Sequence, residues 1–247
     1  MSAPNGETVQ PSVITDVALL TINQGQLGVV VKEEADGNLS LPNTVSRGPS
    51  SSEDAASLVV KEVLEHAVEA PPLEPCIWQL GAENVDYTAH LVRVGYTAVA
   101  GVFELSPDND FTIVEPDVLL TAGDAEPQLI PEDLVVLQAA VASLREATDI
   151  KALHALYKFY KSTGRRNTGP IVARLVSNPD KFTILEVRTI FEVISGNRHQ
   201  RDTVRRYIHD VLPGLVKTED ETVGLSGRPA RYYSMPAEYR ILPRPIG

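Results

Sequence analysis

The sequence predicts two folded units of different class: an α/β domain with a mixed sheet over residues 13–150, and a winged helix-turn-helix over residues 170–235. Three observations carry this expectation. Residues 1–150 hold 5 Lys/Arg against 24 Asp/Glu, a balance of −19, whereas residues 151–247 hold 17 against 9, or +8. Strand-like segments interleave with one amphipathic helix in the acidic part. In the basic part a capped helix, an arginine-bearing helix and two short strands follow one another. A charge asymmetry of this kind points to a nucleic-acid-binding region attached to a unit with a different task, against the alternative of a solvated basic surface.

The acidic unit follows residues 1–12, read as a flexible polar arm. Val13–Ile22 is rich in β-branched residues, and Leu27–Lys32 follows a turn at Asn23-Gln24-Gly25, so a hairpin is expected. Thr44–Ser52 is rich in Ser, Gly and Pro and reads as a loop. Glu53–Glu69 reads as a helix with Ala56, Val59, Val60, Val63, Leu64 and Ala67 on one face. Leu91–Phe103 is a further strand candidate, with Val92, Val94, Tyr96, Ala98 and Ala100 alternating. A segment punctuated by Pro116, Pro127 and Pro131 precedes a helix over Glu132–Thr148, with Leu134, Leu137, Val141 and Leu144 at spacings of three and four. Residues 151–169 form the connection, with a helix possible over Asp149–Tyr160, a turn at Gly164–Gly169 and the boundary near 150–165. A Pro-rich tail covers 236–247.

The basic unit opens with Pro170 at a first helical position and a short helix carrying Ile171, Val172, Leu175 and Val176. Phe182-Thr183-Ile184-Leu185-Glu186-Val187 has the form of a capping box: Thr183 caps the N–H of Glu186, the Glu186 carboxylate reaches back to Thr183, and Phe182 with Val187 forms a staple. Ile184, Val187, Phe191 and Ile194 make the apolar face, and Gly196 stands where a left-handed C-cap belongs. After the turn Ser195–Gln200, a second helix Arg201–Leu212 has Val204, Ile208 and Val211 on one side, with Arg201, Arg205, Arg206 and His209 on another. This is the form of a recognition helix. Strands over Leu215–Thr218 and Ala230–Met235 complete a wing whose loop ends in Gly227-Arg228-Pro229. The candidate DNA contacts are Arg198, Arg201, Arg205, Arg206, Arg228 and Arg231, with Arg228 placed to enter a minor groove.

Composition sets further bounds. Cys76 is the only cysteine, so no internal disulfide or cysteine zinc cage is expected, and it reads as a small core residue. No apolar run reaches the roughly 18–20 residues of a membrane span. The first ten residues lack the basic head and apolar stretch of a signal peptide, so a cytoplasmic protein without membrane contact is expected.

Phe182-Thr-Ile-Leu-Glu-Val-Arg188 and Gly227-Arg-Pro-Ala-Arg-Tyr-Tyr233 resemble the Nudix-related transcriptional regulators, the NrtR-like repressors. The resemblance covers about residues 13–235. It implies a Nudix-like N-terminal domain, a homodimer, a palindromic double-stranded operator, repression of NAD-metabolism genes, and sensing of ADP-ribose or a related nucleotide. The chain departs from the Nudix box of active members, in which a Leu-Pro-Gly-Gly turn precedes a helix whose clustered carboxylates hold Mg²⁺ or Mn²⁺. Here the turn is Leu41-Pro42-Asn43-Thr44 and the helix reads Lys61-Glu62-Val63-Leu64-Glu65-His66-Ala67-Val68. Glu62 and Glu65 match box carboxylates and Lys61 stands at the arginine position, whereas His66 replaces the last glutamate and Val68 the glycine. Imidazole is a poor ligand for a hard cation. The expectation is therefore a sensor with no catalytic residue, metal or cofactor. Lys61, Glu62 and Glu65 are its effector-binding candidates, against the alternative that the two glutamates are ordinary exposed helix carboxylates. Two rival readings stand beside it: a Nudix hydrolase of ADP-ribose or another nucleoside diphosphate derivative, and a protein-interaction module with a basic docking face.

Overall fold

A computed structural model describes residues 12–47, 51–86, 91–121, 128–149, 171–211, 215–221 and 230–237. The N-terminal arm, the 151–169 connection with its expected helix, turn and boundary, the wing tip with Arg228 and the Pro-rich tail lie outside these residues.

The first unit is built around β1 (Ser12–Asn23), joined to β2 (Gln26–Glu33) as the hairpin expected from sequence. Gln24 and Gly25 at the turn both have positive φ, 48° and 80°, the geometry that matches the right-handed twist of the flanking strands. The remaining strands are β3 (Leu39–Ser40), β4 (Asn43–Arg47), β5 (Cys76–Asp86), β6 (Leu91–Val99) and β7 (Phe111–Val114). The sheet runs β3-β2-β1-β6-β5, with β4 on the first half of β1 and β7 on β2. It is mixed: β1 pairs parallel with β6, from Ser12 opposite Leu91 to Leu20 opposite Val99, and the other pairs are antiparallel.

Both faces of the sheet are covered. Val17, Leu19 and Val30 lie in one apolar cluster with Ala56, Val59, Val60 and Val63 of α1 (Ser52–Glu65). Ala18, Leu20, Val29 and Val31 lie in a second cluster with Leu137, Ala140, Val141 and Leu144 of α3 (Pro131–Ala147), to which the short α2 (Pro116–Thr121) contributes Leu119. Successive residues of a strand point to opposite faces, so a central strand covered twice is an unbroken apolar run. This explains why β1 carries no polar alternation over Val17–Leu20.

The second unit begins with a 3-10 turn (Ile171–Arg174), followed by β8 (Phe182–Thr183), α4 (Ile184–Ser195), α5 (Arg201–Val211), β9 (Val216–Glu221) and β10 (Arg231–Ser234). The strands form a small antiparallel sheet in the order β8-β10-β9. Helix, turn, helix and a sheet closed by the strand leading into α4 make the winged helix-turn-helix. Val187, Ile190, Phe191, Ile194, Val204, Ile208, Tyr233 and Met235 join the α3-side cluster, so one apolar core runs through both units.

Several boundaries differ from expectation. Asn43–Arg47 is a strand along β1, not part of a loop. Helix α1 stops at Glu65 rather than Glu69, because the chain after it turns into pairing: Ala67 bridges Leu105, and the Val68 N–H donates to Glu104 O at 2.8 Å. Strand β6 ends at Val99 rather than Phe103. Just beyond it Gly101 lies so close to the second unit that an added Cβ would stand 3.0 Å from Arg174 O. The helix expected after Pro170 is a single 3-10 turn among the described residues, followed by a bend over Leu175–Ser177 and a turn at Pro179-Asp180. Half of the capping box forms: Thr183 Oγ1 accepts the Glu186 N–H at 3.1 Å. The Glu186 carboxylate instead accepts the Ser177 N–H and hydroxyl at 2.7 and 2.8 Å, while Thr183 is paired with Tyr232 in the sheet.

Candidate functional site

Helix α5 is anchored by one face and presents the other. Val204 and Ile208 are buried against α4, and Arg201, Arg205 and Arg206 are exposed. An i, i+4 pair toward the core leaves intervening positions on the outer surface, which is how this sequence produces a row of guanidinium groups. Arg198 is exposed in the turn before α5, and Arg231 is exposed on β10. The described residues thus hold five of the six candidate DNA contacts, all at the surface.

The turn that aims α5 is closed by side chains that the sequence reading did not identify. Gly196 ends α4 with φ 67°, as expected. Glu192 Oε1 accepts both the Arg188 Nε–H at 2.9 Å and the His199 backbone N–H at 2.7 Å. These two hydrogen bonds, the His199 amide first, hold the Glu192 carboxyl below the usual carboxylate range. Ser195 Oγ lies 3.2 Å from His199 Nε2. An i, i+4 Arg–Glu pair was visible in principle, but the capture of an amide seven residues on is a property of the turn.

The second candidate site is a narrow pocket of about 80 Å³ beside α1, lined by Lys32, Glu34, Pro42, Asn43, Glu62 and Phe111 together with apolar Leu41, Val59 and Val63. Of the three effector candidates, Glu62 lines it. Lys61 and Glu65 pair with each other at 4.0 Å on the solvent side, with side chains 73% and 66% exposed. His66 caps the helix C-terminus and lies against Phe111, ring centroids 5.7 Å apart. Lys32 and Asn43 face the pocket from β2 and the Leu41-Pro42-Asn43 turn. Lys32 brings a cation that spacing along α1 could not reveal.

The divalent cation of active Nudix boxes needs several clustered oxygen ligands. No group of three His, Cys, Asp or Glu side chains gathers among the described residues. With Glu65 turned to Lys61 and an imidazole at position 66, the residues present do not fit that ion.

The pocket rim is fixed from behind by a buried charge network. Arg93 on β6 donates twice to Asp16 on β1, at 2.9 and 2.8 Å, and once to Asp133 in the first turn of α3, at 2.8 Å. The other Asp133 oxygen accepts the Leu41 N–H at 2.6 Å. Both carboxylates are fully buried. Burial pushes Asp133 up to about 7, against the lowering effect of the Leu41 N–H and the Arg93 charge. The hydrogen bond to Asp16 raises Arg93 above its ordinary value.

No family model and no curated protein matches the chain. Solved structures match it over its length. NrtR of Shewanella oneidensis complexed with a 27mer DNA is 19% identical, with 92% of this chain and 95% of that chain covered and a TM-score of 0.66. A second crystal structure of the same protein gives 20%, 93%, 96% and 0.64. A MutT/nudix family protein from Enterococcus faecalis gives 16%, 95%, 91% and 0.52. At these identities the likeness establishes the fold. The chain shares that of NrtR from its sheet to its wing, a Nudix-like α/β domain followed by a winged helix-turn-helix. No helix among the described residues is long and apolar enough to cross a membrane.

Proposed function

We propose that the chain is a DNA-binding transcriptional regulator, with α5 as the helix that enters the major groove. The observation that carries this reading is the outward row Arg201, Arg205, Arg206 on a helix whose opposite face is buried. Arg198 adds a contact at the turn, Arg231 one on the wing strand, and Arg228 is proposed for the wing tip. The whole-length likeness to NrtR complexed with a 27mer DNA supports it.

The finer reading follows the family resemblance: a cytoplasmic homodimeric repressor of NAD-metabolism genes on a palindromic operator, whose acidic domain senses ADP-ribose or a related nucleotide. The pocket between α1 and the Leu41-Pro42-Asn43 turn is the proposed ligand site. Lys32 would face the diphosphate and Glu62 a sugar hydroxyl. With no fit for a divalent cation, hydrolysis is not part of this reading. Selection of bound sequences from random DNA, with and without ADP-ribose and NAD, tests it. A symmetric motif whose recovery changes with ligand is the expected result, and recovery of no motif would sink it.

A hydrolase of nucleoside diphosphate derivatives is the second reading, favoured by the likeness to the MutT/nudix protein over 95% of this chain. It requires Mg²⁺-dependent turnover that disappears in Glu65→Gln.

A further inference from the structure

Helix α3 touches the pocket rim at one end and the helix-turn-helix at the other. Its first turn holds Asp133, whose Oδ2 accepts the N–H of Leu41, a pocket-lining residue, at 2.6 Å. The chain entering α3 is tied to the same segment, with the Leu39 N–H donating to Gln128 O at 3.0 Å and the Ile130 N–H to Leu39 O at 3.2 Å. At the far end, Arg145 Nε donates to Ile194 O at 3.0 Å, two residues before the glycine that ends α4. The last carbonyls of a helix lack partners within it, so a guanidinium there both completes a hydrogen bond and meets the negative end of the helix dipole.

Between these ends the helix has no room to bend independently. Val136, Leu137, Ala140, Val141 and Leu144 are buried in the shared core, and Trp78 donates its indole N–H to Ser143 Oγ at 2.9 Å. Seventeen residues at about 1.5 Å rise make a rod of roughly 25 Å. Packed interiors transmit displacement rather than absorb it. A buried ion network is also not the form that stability alone would favour, since apolar residues of similar volume commonly do as well.

We infer that α3 is a strut coupling the Leu41–Asn43 rim to the helix-turn-helix, with Asp133 and Arg145 as the positioning residues at its two ends. A ligand that displaces the rim pulls on Asp133, moves α3 along its axis, and shifts the C-terminal end of α4 through Ile194, re-aiming α5. The naming of the rim as the ligand end rests on the sensor reading above. The mechanical link between rim and α4 does not.

Amide exchange on the full-length chain tests the link without DNA or ligand. Asp133→Asn weakens the rim end, because the amide offers one acceptor oxygen where the carboxylate gives one each to the Leu41 N–H and to Arg93. It is expected to speed exchange across residues 190–196 by roughly five- to tenfold, the lower part of the range for coupling between sites. The same substitution in an Arg145→Ala background is expected to leave residues 190–196 unaffected beyond the Arg145→Ala change itself, and Arg145→Lys, which keeps a donor, to restore part of the response. A response of equal size in both backgrounds, or one confined to the Leu41 segment and the first turns of α3, overturns the inference. Should Asp133→Asn fail to fold, Asn43→Ala removes only the 3.0 Å bond from Asn43 Nδ2 to Leu41 O and delivers the perturbation from the same rim, read by the same criterion. Recovery of no motif in the DNA selection would sink the regulator reading and leave the exchange result standing. Equal exchange in the two backgrounds would sink the strut while operator binding persists.

Discussion

Two carboxylates and one guanidinium share the space between β1, β6 and the first turn of α3, and the arithmetic of that space is unfavourable without Arg93. Removing the guanidinium leaves Asp16 and Asp133, both fully buried, facing each other with no cation. Arg93→Ala is therefore expected to destabilise the fold by about 3–5 kcal/mol in chemical denaturation. Asp133 also makes stability depend on pH. Its folded value of about 7 lies above the ordinary 3.8, so between those values the folded chain holds a proton that the unfolded chain has lost. The contribution is fully present below about 3.8 and is lost as pH rises through about 7. Melting curves for wild type and Asp133→Asn between pH 4 and 8 check this, and the wild-type advantage should shrink with rising pH. None of this network was legible in the sequence. Its members stand 40, 77 and 92 positions apart, and periodicity reports only which face of an element is apolar.

Elements with a strong local period were legible. Helices α1, α3, α4 and α5 were each foreseen, three of them within two residues at both ends, because their apolar positions repeat at helical spacing. The cap of α4 was legible as well, and Thr183→Ala should cost about 1 kcal/mol in thermal or chemical unfolding, the usual worth of an N-cap. Its reciprocal partner was not legible, since Glu186 found a closer donor in Ser177, nine residues back and brought near by the turn at Pro179-Asp180. Strands β4, β5 and β7 escaped for another reason. Each is short or mixes polar with apolar residues, and takes its conformation from a neighbour's free edge, information that no local window contains.

On the scale of the whole molecule, the two units carry opposed charges. An acidic sheet domain repels a phosphate backbone, and the outward arginines of α5 attract it. If Arg201 and Arg205 each neutralise a phosphate or meet a base, the double variant Arg201→Ala/Arg205→Ala should lose at least about tenfold in operator affinity. The slope of log affinity against log salt should fall by up to about 1.8. Unchanged affinity and slope would remove α5 from the interface. The pocket beside α1 was less legible than the exposed arginine row of α5. Spacing along one helix put Lys61, Glu62 and Glu65 together, but a helix surface turns 100° per residue, and only Glu62 faces the pocket that Lys32 and Asn43 complete from other elements.

The parallel pairing of β1 with β6 also bears on how the chain is made. Strand β1 leaves the ribosome with β2 and β4 soon behind it, but its partner on the other edge begins at Leu91, opposite Ser12. At about 5–20 residues per second, that edge waits roughly 4–16 s for its neighbour. Through the interval a nascent chain carries Val17, Ala18, Leu19 and Leu20 with one backbone edge unpaired; α1 is made within it, and the face that α3 covers waits longer still. The strand that ends up most deeply enclosed is thus completed across a separation of some 79 positions, comparable to that between β2 and β7.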